Sequence, residues 1–247
     1  LFPRGVAVED TPVGHLEFAL RHEGVNLEIV DAAFEHLPPA DLCARLEAAP
    51  NGVHIRRACF LWEWLTGKEL PITVTPAGGY VELFPTGTYV TAGVPTNNRK
   101  FRVRNNALGT PDFCPVVLRS AVPESPSFSE LLAKAQRTLE SVSDPALYER
   151  ALSFLYLSET RSSFEIEREK PSSDKQERFV QLLRRAGETT SVSEDWLVSL
   201  QNAVVRDVFS QEASYRVQQN WLEDATGRVT FFPVPVADLQ RAMAGWE

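Results

Sequence analysis

Ser163 and Glu167 stand four residues apart in the run Ser162-Ser163-Phe164-Glu165-Ile166-Glu167, late in a helix predicted from Pro145 to about Lys170. At that spacing both side chains leave the same helical face, one turn above the other. The face presents a carboxylate to something outside the helix, and Leu152, Leu155, Tyr156, Phe164 and Ile166 supply apolar contacts to hold it in place. The same pattern also fits the solvated side of an ordinary amphipathic helix. Other titratable pairs carry less chemistry. Glu194-Asp195 and Glu223-Asp224 read as helix-start or loop charges. No G-x-S-x-G elbow, H-E-x-x-H, P-loop or dinucleotide fingerprint occurs, which leaves a small-molecule hydrolase with little support.

The elements that must position this face belong to a globular chain of 247 residues, 43% hydrophobic and 23% charged, long enough for one large domain or two small ones. A net charge of −8 argues against a phosphate-binding surface over the whole molecule, and with it a nucleic-acid binder. Cys43, Cys59 and Cys114 have no C-x-x-C spacing, so reduced thiols and a cytoplasmic setting are the expectation, without disulfide or metal. No apolar run approaches the roughly 20 residues a membrane helix needs, and the start lacks a signal pattern. A first residue of Leu1 suggests a trimmed start.

Two short helical segments are expected between His15 and Leu37, broken at Gly24. Pro38-Pro39 opens another, with Leu42, Cys43 and Leu46 on one face, and Asn51-Gly52 ends it. His54 to Thr66 aligns Ile55, Ala58, Cys59, Trp62 and Leu65, then stops at Gly67. After Leu70, the runs PITVT, YVEL and TYVTAG are β-prone and predict a small antiparallel sheet or hairpins. A strand through Lys100, Arg102 and Arg104 would put three cations on one face, a solvated one or a basic groove. Prolines at 123 and 126 mark a linker. Beyond it, Ser127 and Glu130 have capping-box spacing ahead of a core stripe of Leu131, Leu132, Ala135 and Leu139. Asp144-Pro145 starts the helix that carries Ser163, and Ser173 to Gln176 repeats the capping-box spacing for the next. A further helix runs from Ser193 to about Val208, and Pro235 opens the last. Val229 to Phe232, ending at Pro233, suits an exposed edge strand that either pairs with a segment of another protein or simply closes the fold.

Several stretches in order resemble large bacterial Fic proteins. Ser163 to Glu167 is similar to the family's inhibitory motif [S/T]-x-x-x-E-[G/N], with Arg168 where the family has Gly or Asn. LSETRSSFEIEREKPSSDKQERFVQLL resembles the inhibitory helix and its successor, and YRVQQNW with VTFFPVPVADLQRAM resembles the start of the Fic domain and its flap. HIRRACFLWEWLTGKEL and FCPVVLRS resemble the amino-terminal region that accompanies it.

The resemblance implies transfer of AMP from ATP, with Mg²⁺, to a hydroxyl side chain of a target protein. It implies a regulatory role for Ser163 and Glu167, with Glu167 as the autoinhibitory glutamate that takes the catalytic motif's last arginine away from the ATP γ-phosphate. A carboxylate and a phosphate offer the same bidentate acceptors to a guanidinium. Arg168 adds a cation beside that carboxylate, and both weakened inhibition and an inconsequential surface change are open. Val229, Thr230, Phe231, Phe232 and Pro233 would form the target-binding flap. The catalytic H-P-F-x-[D/E]-G-N-G-R-x-x-R motif does not occur, and His15, His22, His36 and His54 all lie far upstream, so no catalytic or metal residue is assigned. The chain looks like a Fic protein cut before its catalytic helices.

The expected fold is mainly α (α+β): a mixed α/β amino-terminal domain over 1–122 with short antiparallel strands, a helical region with the inhibitory helix over 123–188, and the start of a Fic domain with its flap over 189–247. Expected partners are the protein target, a Fic catalytic region in cis or in trans, and a second copy in a homodimer, with no nucleic acid or membrane. The alternative function is a non-catalytic, antitoxin-like module that binds a separate Fic domain.

Overall fold

The computed structural model describes residues 8–123, 127–140, 144–166, 172–184, 192–204 and 212–246. It is mainly α with a few short strands. The chain divides into two compact units, one of residues 1–123 with Arg241–Trp246 and one of residues 124–240.

In the first unit, Thr11 caps α1 (Pro12–His22) by accepting the Gly14 N–H at 3.0 Å, and Asn26 caps α2 (Leu27–Phe34) by accepting that of Ile29 at 3.2 Å. Gly24, at φ +92°, makes the reversal between them. α3 (Pro39–Ala48) starts on its proline, and α4 (Val53–Thr66) ends at Gly67 in the left-handed region. Leu16, Leu20, Phe34, Leu42, Leu46, Ile55, Cys59 and Leu61 form one core around α4, as the helical periodicity of the sequence requires.

The sheet differs from the antiparallel one expected. β1 (Val81–Glu82) runs parallel to β3 (Val103–Asn105), and β2 (Thr96–Asn98) runs antiparallel to it, giving the order β1-β3-β2. PITVT forms no strand, and TYVTAG contributes only an isolated bridge from Tyr89 to Leu118. The loop-prone Asn106 instead completes the edge: its side-chain amide exchanges hydrogen bonds of 2.8 and 2.9 Å with the backbone of Phe84.

Lys100, Arg102 and Arg104 do not share a strand face. The strand begins only at Val103, because Arg102 has φ +50° and turns the chain. Lys100 pairs with Glu63 and donates to the Leu70 carbonyl at 2.9 Å, and Arg102 donates to the Gly78 carbonyl at 3.1 Å. Their cations hold loops rather than form a groove. Arg56, buried among them, donates to the carbonyls of Phe101 and Gly79 at 2.8 Å each and to that of Arg102, which fastens α4 to the sheet. A buried guanidinium is tolerated here because its donors meet oxygen acceptors.

In the second unit, α5 (Phe128–Glu140) has the expected capping box: Ser127 N–H donates to Glu130 at 2.9 Å, and Glu130 N–H to Ser127 Oγ at 3.3 Å. Its expected core stripe is not buried. Leu131, Leu132 and Leu139 are all about half exposed. α6 (Pro145–Ile166) starts under Asp144, which accepts the Ala146 N–H at 2.9 Å. α7 (Ser173–Arg184) is capped by Ser172 rather than Ser173, with the Lys175 N–H donating to its hydroxyl at 3.2 Å. α8 (Glu194–Val204) starts under Ser193. The short hairpin of β4 (Leu222–Glu223) and β5 (Val229–Phe231) follows, then α9 (Val236–Trp246), of which the residues up to Gln240 belong to this unit. Among the described residues no helix is long and apolar enough to cross a membrane.

Candidate functional site

Ser163 lies near the end of α6, half-buried, one residue before the buried Phe164. Phe164 and Phe179 of α7 have ring centroids 5.6 Å apart, and the Lys175 ammonium sits 5.1 Å from the Phe164 ring. Higher on the same pair of helices, the Arg184 guanidinium lies 6.0 Å from the Tyr156 ring and donates to Ser153 at 3.4 Å. These contacts fix the rotation of α6 and thereby the direction in which Ser163 leaves it. Of the apolar residues expected to hold the helix, Phe164 is buried and Leu152 and Tyr156 half-buried, whereas Leu155 and Ile166 are exposed. An alternation of sheltered and bare residues follows from the packing of α7 on one side of α6. Glu167 and Arg168 lie outside the described residues.

The five residues expected as a flap are placed in the hairpin and the segment after it. Val229, Thr230 and Phe231 are β5, while Phe232 and Pro233 follow it without regular structure, so the strand is one residue shorter than expected. Leu222 pairs with Phe231 and Glu223 with Val229. Trp221, Leu222, Phe231 and Phe232 are each about half exposed or more, at 49, 62, 56 and 58%. Each of these four large apolar side chains stands in water on or beside a two-stranded ribbon, as residues suited to a partner do. The pairing skips Thr230, the extra residue of an irregularity in the ladder, and its hydroxyl donates to the Leu222 carbonyl at 3.2 Å. Beyond the single pairing within the hairpin, the described residues place no further strand on either edge. Both edges keep main-chain donors and acceptors available for an added strand.

Three side chains outside the expected set make this hairpin rigid. Asp224 Oδ1 accepts the N–H groups of Thr226 at 2.8 Å and Arg228 at 3.1 Å and the Thr226 hydroxyl at 2.6 Å, closing the turn around Gly227 at φ +81°. Those hydrogen bonds, the Thr226 hydroxyl first, hold the Asp224 carboxyl below its ordinary range. Gln219 accepts the Val236 N–H at 3.1 Å, and its amide donates toward the Pro233 carbonyl at 3.4 Å. It therefore caps the first turn of α9 and anchors the segment after β5 at once. Arg216 donates to the Val234 carbonyl from the other side.

Glu194 accepts the Gln240 amide at 3.0 Å and the Tyr215 N–H at 2.6 Å, joining α8 to the segment that precedes the hairpin, and both bonds lower its pKa. The pair Glu194-Asp195 is thus a helix-start charge with a positioning task, and Glu223-Asp224 is a strand-and-turn pair. Asn202 plays a similar part at the far end of α8, exchanging bonds of 2.7 and 2.9 Å with the Glu212 backbone. The Asp-x-Thr-Gly turn is visible in sequence, but the distant partners of Gln219, Glu194 and Asn202 are not, since nothing local marks a side chain that bonds 10 or more residues away.

The arrangement presents an ordered strand edge with aromatic neighbours. Among the described residues no group of three or more His, Cys, Asp or Glu side chains comes together to hold a metal ion. Comparison of the chain with protein-family models, with characterised proteins and with solved structures finds no match.

Proposed function

We propose that this chain is the cytoplasmic regulatory and target-positioning portion of a Fic-type AMP transferase. The observation that carries the reading is the β4–β5 hairpin, an exposed edge flanked by Trp221, Phe231 and Phe232 and braced by Asp224 and Gln219. A target loop laid along β5 as an added strand would gain main-chain hydrogen bonds, with the aromatics gripping its side chains. Rigidity matters because a pre-ordered edge spares the cost of ordering it on binding. ATP and Mg²⁺ belong, on the resemblance, to a catalytic region in cis or in trans. That region supplies the base that deprotonates the target hydroxyl and the loop that holds the phosphates. The part given to this chain is a brake at the end of α6, where Ser163 is half-buried, with Glu167 as its carboxylate on the resemblance.

Autolabelling of the full-length gene product with radioactive ATP tests the brake. Glu167→Gly should raise labelling at least about tenfold, the effect of removing one carboxylate worth about 1.4 kcal/mol from a guanidinium it occupies. Thr230→Pro, which removes a strand N–H, should abolish labelling of the target while leaving autolabelling in place. Absence of label in both wild type and Glu167→Gly would overturn the transferase reading.

The bare apolar faces of α5 and α6 favour one alternative, a binding module for a separate Fic domain. Under it, a Fic catalytic region added in trans would form a stable complex and lose activity.

A further inference from the structure

α1 and α2 both pack against α4, and residues of the two helices line an open groove between them. Pro12, Leu16 and Ala19 on one side and Ile29, Ala33 and Leu37 on the other line a groove of about 740 Å³. Ile29 is 67% exposed, although Val30 beside it is buried in the core. An adjoining hollow of about 580 Å³, reaching Val25, Tyr89 and Val116, begins on the other side of the same Ile29. Ile29 is therefore a ridge between two apolar depressions. At 1.5 Å per residue the 11-residue α1 is roughly 16 Å long, which matches about three turns of a second helix laid along it.

The charge around the seam is one-sided. Residues 8–50 hold nine Asp and Glu against two Arg, whereas residues 51–123 hold four against eight Lys and Arg. One of the two, Arg45, is bound to Glu17 at 2.6 Å. Glu9 and Asp10 precede α1, Glu23 and Glu28 stand at the opposite end of the seam, and Asp31 and Glu35 follow along α2, all exposed. An apolar floor with carboxylates at both ends repels an anionic membrane or an acidic peptide and attracts a cationic helix.

We infer that the α1–α2 groove docks a basic amphipathic helix of a partner protein. The helix would set apolar side chains at i, i+3 or i+4, and i+7 around the Ile29 ridge and place Lys or Arg against Glu9, Asp10, Glu23 and Glu28. This inference stands on the first unit alone and does not depend on the function proposed for the second.

The test is selection of a displayed library of 14-residue helical peptides on the full chain, followed by fluorescence anisotropy with the labelled consensus peptide. Enriched sequences should carry an excess of Lys and Arg around an i, i+4, i+7 apolar stripe. Ile29→Asp, a surface change checked for unaltered circular dichroism, should weaken the peptide at least tenfold. The pair Glu23→Lys and Glu28→Lys should do the same and flatten the salt dependence. Reversal of Glu149 and Glu165 in the second unit, the control for the overall negative charge, should leave affinity within twofold. No enrichment, acidic consensus peptides, or equal losses from the control pair would overturn the inference. A concentration-dependent dimer that Ile29→Asp dissolves, without peptide binding, would overturn it in favour of a second copy as occupant.

Discussion

The two units solve the burial problem differently. In the first, Leu42, Leu46, Ile55, Phe101 and Val103 have no exposed surface, and four helices and a sheet converge on them. In the second, Phe164 and Val180 are the only described apolar residues that are buried, while Phe128, Phe154 and Ile166 are 74 to 80% exposed. The first unit is stabilised by removing apolar surface from water. The described helices of the second are held at their ends, by Ser127, Asp144, Ser172 and Ser193, and by a few ring and amide contacts. Caps contribute about 1 kcal/mol each and cannot substitute for a core. A unit that leaves such faces bare is suited to being completed by something else, which agrees with the catalytic region proposed for it.

Core truncation gives the sharpest break of this comparison. Leu46→Ala should cost about 3 kcal/mol, because a fully buried leucine leaves a cavity. Leu131→Ala, on the bare face of α5, should stay within about 0.5 kcal/mol of wild type. Hydrogen exchange at α4 and α5 amides measures both, and equal losses would erase the distinction between the units. A smaller effect is expected at Gln219, where Ala removes the bonds to Val236 and Pro233. Exchange of the hairpin and first-turn α9 amides should quicken by about 1 kcal/mol, with α3 and α4 unchanged. Loss of protection in both units would show that they do not unfold separately.

The smallest effect lies in pH. Burial first, then the nearby Arg57, pushes His54 down from 6.5 to about 4, and its Nδ1 is buried without a partner. The unfolded chain binds a proton that the folded one refuses in that window, so the contribution is complete above pH 6.5 and is lost as pH falls toward about 4. Denaturation curves across that range should show the first unit weakening, and His54→Leu should flatten the slope. An unchanged slope would place the acid sensitivity elsewhere.

The local signals in this chain were legible for a physical reason. A cap, a helix-starting proline or a left-handed glycine acts within about four residues, so Asp144, Gly67 and the Ser127–Glu130 box are read directly from neighbours, while the Thr11 cap is seen only in the structure. The same holds for the β5 strand, ended by Pro233, and for the stripe that α4 buries. What periodicity cannot supply is the partner across the stripe. Leu132, Ala135 and Leu139 of α5 have the same i, i+3, i+7 spacing as Ile55, Ala58 and Trp62 of α4, yet the first set is exposed and the second buried. Only the tertiary structure distinguished them, because burial depends on which elements converge. Sheet direction is equally non-local: β1 meets β3 in parallel although YVEL and FRV look like arms of hairpins. Lys100 and Arg102 alternate in sequence like strand neighbours, and Arg102 at φ +50° sends them to different loops. The sequence by itself determined where helices start and stop and that the chain is mainly α. The fold decided which apolar faces found a neighbour, because that choice is made between segments far apart in the chain and close in space.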